Sequence, residues 1–263
     1  MDKDLTGFHS KSSEKCDLGT PVVRNISNPF GKETVANQHP WRLSREECLL
    51  SILKGKNMQN FADIGVNDMF YTKKLKSFYA EKIYGIDVFF PEESVVKDGI
   101  ICLNKVEKIP ENELDCAVMM DVLEHIEDDV SFFKTVIGKV KSDGIFLITV
   151  PAYQFLFSAH DVKNLHFRRY NRKQLLKILK QEGITVERCH YFYTSLFIMR
   201  LLFTLRKKEF SGNSSDKWKY PEKHILTVIL KTILNLDFTV NKILDKFFIR
   251  LPGLSLFAIC RKK

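Results

Sequence analysis

Two short apolar runs, each carrying an acidic residue at or near its end, constrain this chain more than any other feature. Phe61-Ala62-Asp63-Ile64-Gly65 and Ile83-Tyr84-Gly85-Ile86-Asp87 read as consecutive buried strands. In an open, doubly wound α/β sheet, ligands bind beyond the carboxyl ends of the strands, where the first β-to-α turn meets the tip of the second strand. An acidic side chain at that second tip accepts hydrogen bonds from the two hydroxyls of a ribose. Asp63 and Asp87 therefore point to a site built around a nucleoside.

The turn between the strands narrows the choice. A dinucleotide fingerprint needs G-x-G-x-x-G, so that backbone amides can approach a pyrophosphate. The chain has Gly65-Val66-Asn67-Asp68-Met69-Phe70, with Asn and Phe at the second and third glycine positions, which disfavours NAD. The same run resembles motif I of the class I S-adenosylmethionine (SAM) methyltransferases, D-x-G-x-G-x-G, which Asp63 and Gly65 match. Asn67 is a mild departure, because Asn visits the left-handed region more readily than other non-glycine residues. Met69 is a larger one, a long side chain where the turn enters a helix predicted over 69–79.

The downstream pattern strengthens the resemblance. Leu114–Asp121 reads as a buried strand followed by Val122-Leu123-Glu124-His125-Ile126, and Glu127-Asp128-Asp129 supplies acidic residues suited to a helix N-terminus. That helix runs to about Val140, and Lys141-Ser142-Asp143-Gly144 leads to a strand over Ile145–Val150, closed by Pro151. The order is similar to the D-x-L-E-H and K-x-G-G-x-L-x-x-x-x-P signatures of small-molecule SAM methyltransferases. Phe157-Ser158-Ala159-His160-Asp161, His166-Phe167-Arg168-Arg169-Tyr170 and Leu251-Pro252-Gly253-Leu254-Ser255-Leu256 resemble a bacterial and archaeal subgroup often found among genes for surface polysaccharide or glycolipid assembly. The resemblance extends over residues 42–263. It implies an α/β, Rossmann-like, seven-stranded doubly wound sheet whose last strand is antiparallel, with a helical insertion between strands 6 and 7.

Segmentation follows. Residues 1–40 are polar and rich in Ser, Lys and Asn, and read as a flexible segment or a flap over the cofactor. Residues 41–194 form the cofactor-binding core, 195–250 a basic amphipathic insertion, and 251–263 the final core strand. Ser44-Arg45-Glu46-Glu47 and Asn171 with Gln174 are capping-box patterns that predict helix starts. Gly183 is expected to stop the second helix before a strand over Thr185–Thr194. An apolar content of 44% permits a substantial core. The six cysteines are scattered, with no C-x-x-C pair, and Cys102, Cys116 and Cys260 lie in strand-like runs where a thiol behaves as a small buried hydrophobe. This usage suits a reducing cytoplasm and argues against a zinc site; no metal is expected. The N-terminus lacks the apolar run of a signal peptide, and no apolar stretch approaches the ~20 residues of a spanning helix.

Charge is localised. Residues 200–263 hold fourteen Lys or Arg against five Asp or Glu, a surplus of nine that equals the formal net charge of +9 for the whole chain. Such a patch implies an anionic partner. An amphipathic basic element at the inner face of a membrane is one reading. A helical lid, its apolar face on the sheet and its lysines in water, is the other. Nucleic acid is disfavoured for want of a recognition motif.

By resemblance, Asp63, Gly65 and Asn67 hold the methionine part of SAM, Asp87 the ribose and Val88 the adenine, with Met120 and Asp121 also on the cofactor side. Asn104-Lys105 stands where many relatives carry an adenine-binding acid. His125, just past a strand tip, is a candidate general base or a structural residue. His160 with Asp161 is the second candidate, a ring oriented by a carboxylate. His166, Arg168, Arg169 and Tyr170 are the candidate substrate contacts, the guanidinium forks suiting phosphate or carboxylate groups. The expected activity is SAM-dependent methylation, oxygen slightly favoured over nitrogen, of a small-molecule or lipid-linked glycan acceptor. The rival is a degenerate protein of the same fold that binds without catalysis. An RNA methyltransferase is a third reading, weakened by the absence of N/D-P-P-Y/F.

Overall fold

The structure is a computed structural model that describes residues 38–263 except 57, 67–68, 80 and 206–218. The expectation for residues 1–37 and the polar loop Ser211–Ser215 therefore fall outside the described residues. Eight strands form one sheet: β1 (Asn60–Ile64), β2 (Lys82–Ile86), β3 (Val95–Lys97), β4 (Ile100–Leu103), β5 (Leu114–Met120), β6 (Val140–Pro151), β7 (Ile184–Phe192) and β8 (Ser255–Lys262). Their order is β3-β4-β2-β1-β5-β6-β8-β7. Seven of these are the expected doubly wound set, and β3 is an extra edge strand antiparallel to β4. β1 pairs in parallel with β2 and β5, whereas β8 lies antiparallel between β6 and β7.

Side-chain alternation divides the core between the two faces. Ala117, Met119, Phe146 and Ile148 face one cluster, covered by α3 (Asp129–Lys139) and α5 (Arg172–Leu179). Cys116, Val118, Ile145 and Leu147 face the other, covered by α1 (Pro40–Leu53), α2 (Phe70–Tyr79) and a later helix, α7 (Ile225–Lys246). Sheets covered on both faces have near-continuous apolar strands, which is why β1 and β5 were conspicuous in the sequence. Cys102, Cys116 and Cys260 are fully buried in strands, as expected.

Two helix starts behave differently. At α5, Asn171 accepts from the Gln174 amide at 2.9 Å and its own amide donates to Gln174 Oε1 at 2.8 Å, completing the predicted capping box. At α1 the helix begins earlier, at Pro40 with His39 as cap, so Ser44–Glu47 is helix interior rather than a start. Proline's fixed φ and missing N–H suit the first helical position and set the boundary there. α5 ends at Leu179, before Gly183, whose φ of +74° serves the turn into β7.

The insertion comprises α6 (Thr194–Leu205) and α7. The Asp237 carboxylate of α7 accepts from the Thr194 and Ser195 amides and so caps α6. Thr227, Leu234, Phe238 and Asn241 form the buried face of α7. Gly253 then leads into β8, where a Cβ would lie 2.2 Å from the Phe192 carbonyl oxygen, so only glycine fits. The lid expectation put lysines on the outer face of the insertion. Instead Leu226, Ile229, Ile233, Leu236, Val240, Ile243 and Phe247, spaced three and four apart, form an exposed apolar stripe opposite the buried one. Lys231, Lys242 and Lys246 are angularly offset from that stripe by the helical repeat. Among the described residues, no helix is long and apolar enough to cross a membrane.

His190 of β7 is 3% exposed, packed against Phe238 of α7 and Phe257 of β8. Burial lowers its pKa from 6.5 to about 4, against the opposing pull of Asp245. Above pH 6.5 the ring is neutral whether folded or unfolded; between about 6.5 and 4 the unfolded chain binds a proton that the folded one refuses. Stability therefore falls with pH through that window. Urea unfolding at pH 7.5 and 4.5 should show the wild type losing about 2–3 kcal/mol more than His190→Phe. Equal losses would mean the ring is protonated in the folded protein.

Candidate active site at the carboxyl ends of the strands

The carboxyl ends of β1, β2 and β5 meet around Gly65. Its φ is +80°, and a Cβ there would lie 2.8 Å from Val122 Cγ2, so both backbone and space require glycine. The Gly65 amide donates to the Ile86 carbonyl at 2.7 Å, locking the turn to the tip of β2. Met69 also has positive φ, +61°, a region where glycine avoids a steric cost of about 1–2 kcal/mol. Its side chain is 1% exposed and belongs to the core cluster under α1 and α2. The methionine's bulk is thus absorbed by the core. Asn67 lies outside the described residues.

Asp63 is buried and accepts from Thr72 Oγ1 at 2.5 Å, tying β1 to α2. Asp87, also buried, accepts from the Phe89 amide at 3.2 Å, while its own amide donates to Leu103. Val88 beside it is exposed. Asn104 donates to Glu92 at 2.6 Å.

Asp121 sits at the tip of β5 with φ +57°. Both its oxygens are engaged within the protein: Oδ2 accepts from Arg45 at 2.5 Å and Oδ1 from Thr149 at 2.9 Å. Burial raises its pKa, but Arg45 outweighs this and holds the carboxyl below its ordinary range. Arg45, 4% exposed, also donates to Thr149 at 2.5 Å and stacks over Trp41. Met120 lines a small pocket beneath this pair, together with Cys48, Thr149 and Phe192. The sequence reading missed Arg45. Only its place in an apparent capping box had drawn notice, and nothing local signals a partner in β5.

The loop beyond β6 carries α4 (Ala159–Lys163), capped by Ser158, whose amide donates to Asp161 at 2.9 Å. Asp161 is fully buried. It does not orient His160: its Oδ1 accepts from His166 Nδ1 at 2.9 Å and from Arg169 Nε at 2.7 Å. Consecutive helical residues point about 100° apart, so the expected His160–Asp161 pair is replaced by His166–Asp161. Burial raises the Asp161 pKa, but His166 and Arg169 more than reverse this and hold it far below the usual range. His160 instead meets Asn164 at 3.0 Å, and burial lowers its pKa.

The other candidates divide similarly. Arg169 is buried against Asp161 and the Ala152 carbonyl. Arg168 is half-buried, bridging Asp129 at 3.0 Å and the Glu127 carbonyl at 2.8 Å. Tyr170 is 1% exposed, its hydroxyl placed between Asp129 (2.8 Å) and the Leu123 carbonyl (3.0 Å). A substrate contact would have to break into that arrangement; here Tyr170 is a strut joining the loop to α3. His125 is buried in a short 3-10 turn, Leu123–His125, with its ring edge-on to His166 at 4.7 Å. The Phe167 amide donates to the Glu124 carbonyl at 2.8 Å, stitching loop to turn. The structure thus brings His125, Asp161 and His166 together and leaves His160 beside them.

Comparison with known proteins bears on the fold. Residues 62–148 match a family described as a methyltransferase domain. No curated protein matches the sequence. A protein described as a sarcosine dimethylglycine methyltransferase, from Galdieria sulphuraria, superposes with a TM-score of 0.53 at 15% identity, over 84% of this chain and 86% of that one. A protein described as a methyltransferase from Bacillus halodurans gives 0.51 at 15%, over 83% and 99%. SpnF, a [4+2]-cyclase, gives 0.51 at 14%, over 84% and 82%, so one fold carries different reactions. The chain is an α/β Rossmann-like protein of the methyltransferase fold, and its residues 62–148 match a family described as a methyltransferase domain.

Proposed function

We propose that the chain transfers a methyl group from SAM to an oxygen of a small-molecule or lipid-linked glycan acceptor. The observation that carries this reading is the turn at Gly65, closed against Val122 and fastened to the tip of β2 next to Asp87, within the matched methyltransferase domain. In this reading Asp63, Gly65 and Asn67 hold the methionine portion of SAM. Asp87 accepts from the ribose hydroxyls, and the exposed Val88 packs on adenine. Asp121 supports the site indirectly, by fixing the end of β5 through Arg45. SAM, when bound, would supply an activated methyl, and the chain's task would be to place the acceptor oxygen in line behind it. Orientation of this kind contributes about 7–11 kcal/mol in favourable cases, and a general base adds ~10²–10⁴-fold. His125 lies on the strand-tip side of the acceptor loop and is the first candidate for that base. His160, kept neutral around neutral pH by burial, is the second. The degenerate reading drew on Met69 and on the missing adenine-binding acid at Asn104-Lys105; the burial of Met69 in the core answers the first motive and leaves the second.

The outer face of the insertion extends the proposal. Six exposed apolar residues in register on α7 and Phe247 just past its end, with Ile198, Met199, Leu202 and Phe203 on α6, suit the acyl boundary of a bilayer. The surplus of nine positive charges over residues 200–263 suits anionic headgroups. The enzyme would then work peripherally, at an inner membrane face where lipid-linked acceptors lie.

Calorimetric titration with SAM and S-adenosylhomocysteine should give micromolar binding that Asp87→Ala abolishes, with circular dichroism unchanged. Wild-type affinity in the variant would place the cofactor elsewhere. In sedimentation assays the protein should pellet with anionic vesicles far more than with neutral ones, and Ile233→Glu with Val240→Glu should release it. Equal pelleting with both vesicle types would sink the membrane role.

A further inference from the structure

We propose that Glu124, His125 and His166 bind a divalent first-row transition cation between the 3-10 turn after β5 and the acceptor loop. One ligand atom from each residue lies within 4.8 Å of the others. Ligands about 2.0–2.2 Å from a cation are themselves roughly 3–4 Å apart, so closure needs side-chain rotation of about an ångström. The two segments are already fastened by the hydrogen bond from the Phe167 amide to the Glu124 carbonyl. The His125 and His166 rings meet edge-on at 82°.

The surrounding groups are those that a metal-binding histidine requires. His166 donates Nδ1–H to Asp161, which leaves Nε2 for a cation and fixes the ring. Asp161 is itself held by Arg169 and by the Ser158 amide. Two imidazoles and a carboxylate favour Mn, Fe, Co or Zn over Mg or Ca. Three protein ligands leave at least one coordination position open, as catalytic sites do. An acceptor hydroxyl bound there would release its proton to solvent more readily and attack as an alkoxide. That consequence rests on the methyl-transfer reading and replaces His125 as general base, since a ring nitrogen held by a cation cannot also take a proton; cation binding itself does not rest on that reading. The expectation of no metal rested on cysteine spacing, which carries no information about a Glu–His–His set whose third member is remote in sequence.

The test uses the full chain, stripped with chelator and titrated separately with Mn²⁺, Zn²⁺ and Co²⁺. Calorimetry should give one saturable site per chain, and Co²⁺ should produce ligand-field absorption in the wild type. Glu124→Gln, His125→Gln and His166→Ala should each weaken binding by more than about tenfold, while His224→Ala at the start of α7 should not. Circular dichroism identifies any variant that fails to fold, and the Co²⁺ spectrum tests the site without a variant. No saturable binding of any ion, or undiminished affinity in all folded variants, overturns the proposal. SAM titration of the same samples separates the two readings: SAM binding together with no saturable binding of any cation defeats only this one, and saturable cation binding together with no SAM binding defeats only the methyltransferase assignment.

Discussion

A guanidinium buried where α1, β5 and β6 converge holds the ligand end of the sheet in shape. Arg45 reaches from α1 to Asp121 at the tip of β5 and to Thr149 on β6, while Trp41 covers its face. Asp121 is locked in a left-handed conformation, with its amide on the Thr149 carbonyl. That sharp end to β5 places Val122 against Gly65, and Gly65 in turn fastens to β2. Arg45 is buried while Asp121 is partly exposed, so removing Asp121 leaves a buried guanidinium uncompensated and costs up to about 3–5 kcal/mol, the figure for a fully buried pair. This cross-link ties α1 to the ends of β5 and β6 beside the Gly65 turn.

A second network organises the loop beyond β6. Asp161 gathers His166, Arg169 and the Ser158 amide around one carboxylate. The insertion joins it, since Arg200 of α6 donates to Ser158 Oγ at 2.6 Å. Tyr153 stacks on Tyr191 and lies against Phe197 of α6, adding apolar contact along the same seam. The loop beyond β6 is therefore braced by α6, which packs beside the helix that carries the exposed apolar stripe.

Much of the fold was legible because the strands are buried on both faces and because Gly65 is required by both backbone and space. Asn171 with Gln174 worked as a helix signal; Ser44–Glu47 did not, because Pro40 starts that helix a turn earlier. Charge partners were the harder problem. His160 and Asp161 are adjacent in sequence yet diverge on a helix, and the true partner of Asp161 is His166. Arg45 and Asp121 are far apart in the chain, and no local pattern predicts their meeting. For α7, a count of basic residues suggested a charged outer face, but the three- and four-residue spacing places apolar side chains on both the inner and outer sides.

The position of β8 has a consequence for assembly. It follows the whole insertion in sequence, yet it lies between β6 and β7 in the sheet. Until it arrives, β6 has an open edge and β7 has no neighbour among the described strands. Non-local pairings of this kind form slowly, and bare edges recruit other chains. During synthesis, α7 emerges after α1 and β7, on which its inner face packs, but before the strand that completes the sheet, and its outer apolar stripe stays exposed. The hazardous interval in the life of this protein is thus the wait between making that helix and inserting β8, when a bilayer or a chaperone would shield what the fold itself cannot yet cover.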